Sequence, residues 1–170
     1  MSQITDIRPK KAKGHRPDHL LAQARPRAAA AAQRQGVLTD ITPSLPGARR
    51  RRIPLRFMGD HPEAYRPMRQ AANRRCITQR EAGLTVDQAY VPTGVLEKAL
   101  PHLKNGDIFG LVTRVKGLDV THVGVVEVEG GRRHALHAAP GRGVMRSRDL
   151  ARYAAGVDAV MGLMVLRPTP

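Results

Sequence analysis

Residues 118–140, LDVTHVGVVEVEGGRRHALHAAP, read as a strand, a tight Gly-Gly turn and a returning strand. The alternation on either side of the two glycines has the period of two that a half-buried strand requires. A two-residue turn at Gly130 and Gly131 pairs Glu129 with Arg132, so the numbers of facing residues sum to 261. On that register His137 faces Gly124 and His122 faces Ala139. The two histidines then project from the same face as diagonal neighbours, roughly 7–8 Å apart at the backbone. Gly124 has no side chain, which is expected to leave room for the imidazole of His137. His134 faces Glu127 and points to the other side. A slip of one residue would exchange the faces.

That parity decides how the three histidines are to be used. His134 and His137 are spaced like a ligand pair, but on a strand an odd separation sends two rings to opposite faces. Only His122 and His137 could share an ion, and no Cys or carboxylate on their face completes three or four ligands. No metal and no cofactor is therefore expected. Without further information, two ordinary half-buried sheet histidines would explain the hairpin equally well.

The flanking sequence supplies an α+β frame. HPEAYRPMRQAANRR (61–75) suggests a helix with Pro67 near its first turn, and TGVLEKALPHL a short helix capped by Thr93. KNGDIFGLVTRV gives a turn and an apolar strand over 107–115, and GVMRS (143–147) a further short strand. RDLARYAAG reads as a helix with Asp149 in its first turn, where negative charge suits the helix dipole. VMGLMVLRP (160–168) closes as a buried strand ended by Pro168. Helices followed by a run of short antiparallel strands indicate an α+β domain.

Charge is the other strong signal. The 170 residues carry a net charge of +15, with a sequence pI of 11.4, which points to acidic partners: nucleic acid, anionic lipid or an acidic wall polymer. Residues 1–52 hold 12 Lys and Arg against 3 Asp and Glu, and 53–170 hold 17 against 11. With an alanine run, the RRRR of 49–52 and no sustained period, 1–52 reads as a basic, disordered arm. A short helix over 20–35 is the alternative, interrupted by Pro26. No run approaches the roughly 18 apolar residues of a membrane helix. No signal peptide is visible, since the longest early apolar run is Ala28–Ala32. A single cysteine, Cys76, excludes an internal disulfide.

The pieces FMGDHPEAY, YVP, GLDVTHVG, LHAA, LARY and GLMVLRP, in this order over residues 53–170, resemble the N-acetylmuramoyl-L-alanine amidase-like branch of the NlpC-type, papain-like cysteine hydrolases of bacterial cell walls. The resemblance implies a papain-like antiparallel sheet with helices, incomplete on its N-terminal side. It implies hydrolysis of an amide bond in peptidoglycan fragments and a place in the cell envelope or periplasm. His122 matches the general base and His137 the residue that orients it: a thiolate attacks, the base activates it and then protonates the leaving amine. Asp107 matches the aspartate of a GD turn, where a structural role is expected.

The chain departs from that pattern at the nucleophile. The family's thiol follows an Asp and precedes Ser or Thr at a helix N-terminus, where its pKa is lowered. No DC[ST] occurs here. Cys76, in RRCITQRE, lies 46 residues before His122, and although Arg74, Arg75 and Arg80 would favour a thiolate, an incidental thiol is the preferred reading. The sequence therefore reads as a truncated or degenerate amidase or peptidase, whose first 52 residues stand in place of the nucleophile half. The competing reading is a basic protein that contacts nucleic acid through its arm, or a wall-binding module without catalysis. Few aromatics are present to stack bases, which weighs against a single-strand-binding sheet.

Overall fold

A computed structural model of the chain describes residues 31–139 and 141–169. Its frame is an eight-stranded antiparallel sheet. The strands are β1 (Leu38–Asp40), β2 (Arg49–Pro54), β3 (Thr85–Pro92), β4 (Ile108–Thr113), β5 (Val120–Glu129), β6 (Arg132–Ala139), β7 (Gly143–Ser147) and β8 (Val160–Pro168). Their order is β2-β3-β8-β4-β5-β6-β7, with β1 beside the far end of β8. The helices are α1 (Phe57–Asp60), α2 (Ala71–Glu81) and α3 (Leu150–Ala155), joined by short 3-10 turns.

β8 lies inside the sheet, between β3 and β4, and is apolar on both faces, as VMGLMVLRP requires of a covered strand. On one face Phe109, Leu111, Val126, Ala135, Leu163 and Val165 are buried under the 3-10 turns around Leu96–Leu103 and under Leu150, Ala151 and Ala154 of α3. On the other face Tyr90, Val112 and Val120 form a smaller cluster with Met161 and Met164. A third cluster, Met58, Tyr65 and Met68, lies under α1 and α2. The two oxygens of buried Glu81 accept from the backbone N–H groups of Met58 (3.2 Å) and Gly59 (2.8 Å), holding α2 to the first turn of α1.

Several expectations are corrected by the backbone. Residues 38–52, read as part of a disordered arm, contribute β1 and most of β2. The RRRR run hides a strand: Arg49, Arg50 and Arg52 are exposed along the sheet edge, where charge guards against edge-to-edge pairing. Arg51 turns inward instead. It donates from Nε to Gln88 Oε1 (2.9 Å), from Nη1 to the carbonyl of Thr113 (2.6 Å) and from Nη2 to the carbonyl of Asp119 (3.0 Å). Residues 1–30, and most of the alternative helix over 20–35, lie outside the described residues. The helix expected from Thr93 is a 3-10 helix (Thr93–Lys98) that follows Pro92, and no side chain caps it. The helix expected over 61–75 is split into two 3-10 turns before α2, each with a proline at its start.

Candidate active site

The hairpin has the register its turn dictates. Glu129 pairs with Arg132, Glu127 with His134 and Val125 with Leu136, and Gly130 and Gly131 both adopt positive φ. His122 and His137 consequently share the face covered by α3. Nε2 of His122 lies 3.1 Å from Nδ1 of His137, and the ring centroids are 5.0 Å apart at 85°. Both rings are half-buried. The room at Gly124, however, is filled by a different ring than expected. A Cβ there would meet Phe109 Cζ at 2.5 Å and the carbonyl of Leu136 at 2.6 Å, so Phe109 of β4, not His137, occupies the space.

One feature of β5 separates the face of Val120 from that of His122. Leu111 of β4 faces His122 while Val112 faces Val120, so Thr121 is an extra residue on β5, a β-bulge. The bulge breaks the parity of two. His122 keeps the face that the hairpin register gives it, with Leu111, while the bulge sends Val120 to the opposite cluster with Val112 and Tyr90.

Two groups that the sequence reading did not single out complete the arrangement. Tyr153 of α3 stacks on His137 with centroids 4.6 Å apart and ring planes at 28°, and its hydroxyl lies 3.4 Å from Nδ1. Burial pushes the Tyr153 phenol up to about 12, so it is protonated at neutral pH. Ser147 of β7 places Oγ 3.3 Å from Nε2 of His137. Burial, the larger effect, lowers the pKa of His137, and the backbone at Ala138 opposes it. The only available signal for Tyr153 was the LARY segment. Ser147 had none, because it reaches His137 only through the β6–β7 pairing.

The remaining candidates are elsewhere. His134 is buried on the opposite sheet face, as parity requires. Cys76 is exposed in the middle of α2, away from a helix N-terminus, and α2 packs on α1 and the preceding 3-10 turn. Asp107 has a structural setting. Its Oδ2 accepts from the N–H of Lys104 (2.8 Å), and both its oxygens accept from Arg167 (2.8 and 2.7 Å), tying the turn before β4 to β8. That pairing raises the Arg167 pKa. Among the described residues no group of three or more His, Cys, Asp or Glu side chains is placed to hold a metal, and no helix is long and apolar enough to cross a membrane.

An eight-stranded antiparallel sheet with few helices makes this an α+β protein, with a histidine pair beneath a tyrosine on one sheet face. Residues 28–159 match the AmiA-like family, described as N-acetylmuramoyl-L-alanine amidase-like, and the chain belongs to that family. A solved N-acetylmuramoyl-L-alanine amidase from Bacteroides uniformis ATCC 8492 superposes with a TM-score of 0.73 at 27% identity, covering 82% of this chain and 60% of that one. A putative xylanase from Bacteroides fragilis is 32% identical with a TM-score of 0.69, covering 80% of this chain and 61% of that one. A protein from Legionella pneumophila str. Philadelphia 1, at 19% identity and a TM-score of 0.58, shares the fold. The chain thus spans about 60% of the length of the amidase structure it matches. A comparison with curated proteins finds no match.

Proposed function

We propose that this chain carries the histidine half of an NlpC-type, papain-like cysteine hydrolase site directed at an amide bond of peptidoglycan. His122 would act as general base and His137 as the group that orients it. The observation that carries the reading is the 3.1 Å approach of His122 Nε2 to His137 Nδ1 under the Tyr153 ring. A general base needs a partner that fixes its tautomer. Converging imidazoles suit acyl transfer. Glycoside hydrolysis calls for a carboxylate pair across the scissile bond, so the xylanase description of one neighbour fits this hairpin less well.

The nucleophile is the weak part of the site. Cys76 lacks the helix N-terminus that would activate a thiol, and we assign it no role in catalysis. In this proposal the chain binds murein fragments at the histidine pair and hydrolyses them only where a thiol is supplied beside His122.

The test combines murein-fragment turnover with NMR of the imidazole rings. Fragments should shift the His122 and His137 resonances, and any hydrolysis should survive Cys76→Ser but fall at least a hundredfold in His122→Ala. A loss of that size in Cys76→Ser would make Cys76 the nucleophile. Unmoved rings together with no hydrolysis would defeat the reading.

A further inference from the structure

The sheet face turned away from His122 and His137 bears a second grouping of chemically active side chains. Pairing across β5, β6 and β7 brings Glu127, Glu129, Arg132, His134 and Arg146 to one surface, and Arg148, just past β7, lies beside them. Five of these, with Gly130 and without Glu127, line a cleft of about 500 Å³. The amidase-like reading makes no use of it.

Charge in this cleft is unevenly committed. Arg146 forms ion pairs with both carboxylates, through Nε to Glu127 and Nη2 to Glu129. Those two contacts raise the Arg146 pKa, and Arg146 holds the Glu129 carboxyl below its ordinary value. Both acidic groups are therefore engaged by one arginine. Arg132 and Arg148 form no ion pair among the described residues. Exposed arginines near the edge of a sheet would ordinarily be solvated, but His134 does not fit that explanation. The residue is only 6% exposed, and its buried Nδ1 has no hydrogen-bond partner among the described residues. A buried polar atom without a partner is costly, and this one belongs to a residue that lines the cleft together with two uncommitted guanidinium groups.

We propose that this cleft binds a small oxyanion, a carboxylate or phosphate group, held by Arg132 and Arg148 beside His134. Guanidinium groups present paired N–H donors that match two oxygens of either anion. His134 lines the same cleft, so its ring reports on occupancy. Glu129 sets the affinity by competing for the same cationic surface.

The experiment is a titration of the full chain at constant ionic strength with inorganic phosphate, acetate and chloride in separate arms, read at the His134 ring by NMR. Phosphate, acetate or both should produce a saturable shift in the low-millimolar range, and the arm that responds identifies the anion. Chloride should produce none. The Arg132→Ala/Arg148→Ala double variant, altered only at surface side chains, should weaken the response at least tenfold. Glu129→Gln should strengthen it several-fold, while the rings of His122 and His137 stay unmoved. An equal response to chloride, no saturable response to either oxyanion, or a response unchanged in the double variant would overturn the proposal. None of these outcomes depends on hydrolysis or on the histidine pair.

Discussion

At the scale of the residue, His137 is held from several sides. Tyr153 covers its ring, Ser147 approaches Nε2, and His122 and the Tyr153 hydroxyl both approach Nδ1. Desolvation is the larger influence on its charge and lowers its pKa from the ordinary 6.5. Below about 6.5 the unfolded chain therefore binds more protons at this position than the folded one. Its contribution to stability is full above that pH, declines as pH falls through the folded-state pKa, and is flat beyond it. Denaturant unfolding followed from pH 8 to 5 should show a smaller loss in His137→Gln than in the parent chain; equal losses would mean that His137 is not the group responsible. Tyr153 provides the complementary check. In Tyr153→Ala the His137 pKa should climb back toward 6.5, because water reaches the ring, whereas Tyr153→Phe keeps the stack and should leave it low. If Tyr153→Phe shifted it as far as Tyr153→Ala, the hydroxyl rather than the covering ring would be in control.

At the scale of the element, the hairpin shows what local sequence can specify. The Gly-Gly turn fixes the register, the register fixes the faces, and His122, His134 and His137 follow without tertiary information. The neighbouring strand is what local reading missed. Gly124 is needed because Phe109, 15 residues earlier on β4, lies across it. Gly124→Ala should therefore cost about 1–3 kcal/mol through overpacking, since the Leu136 carbonyl on the other side is backbone and can give little. A neutral result in thermal unfolding would show that Phe109 can swing aside. The bulge at Thr121 was equally hidden, because it exists only in relation to β4. β2 was misread for another reason: four arginines carry no apolar alternation, and Arg51 takes an inward position by donating to two main-chain carbonyls. Arg51→Ala strips a donor from each of these and should destabilise the fold by about 1–3 kcal/mol. Arg51→Lys, without the fork, should recover only part of it. Full recovery would mean that charge alone, and not the paired donors, holds β2 to the β4–β5 connection.

At the scale of the whole molecule, placing β1 and β2 in the sheet redistributes the charge. Residues 1–30 hold 7 Lys and Arg against 2 Asp and Glu, while residues 31–170 hold 22 against 12. The larger share of the net +15 therefore belongs to the part of the chain that includes the sheet, with Arg49, Arg50 and Arg52 exposed along its β2 edge. This changes what the basic arm can be asked to explain. Non-specific binding to a polyanion depends on the phosphates neutralised and counterions released, so the logarithm of the affinity falls linearly with the logarithm of salt concentration. If weak nucleic-acid binding came from an arm ending at residue 52, removing the arm would abolish it; but that deletion would also remove β1 and most of β2, and its result would report unfolding. Deleting residues 1–30 keeps every strand of the sheet. The expected outcome is that duplex DNA binds the full chain weakly, that binding weakens steeply between 50 and 200 mM salt, and that the shortened chain keeps a salt slope of its own from the Lys and Arg that remain. Fluorescence anisotropy across a salt series measures both slopes. A shortened chain with no salt-dependent binding would place the whole polyanion contact in the first 30 residues, and the arginines of β2 would then serve the sheet edge alone.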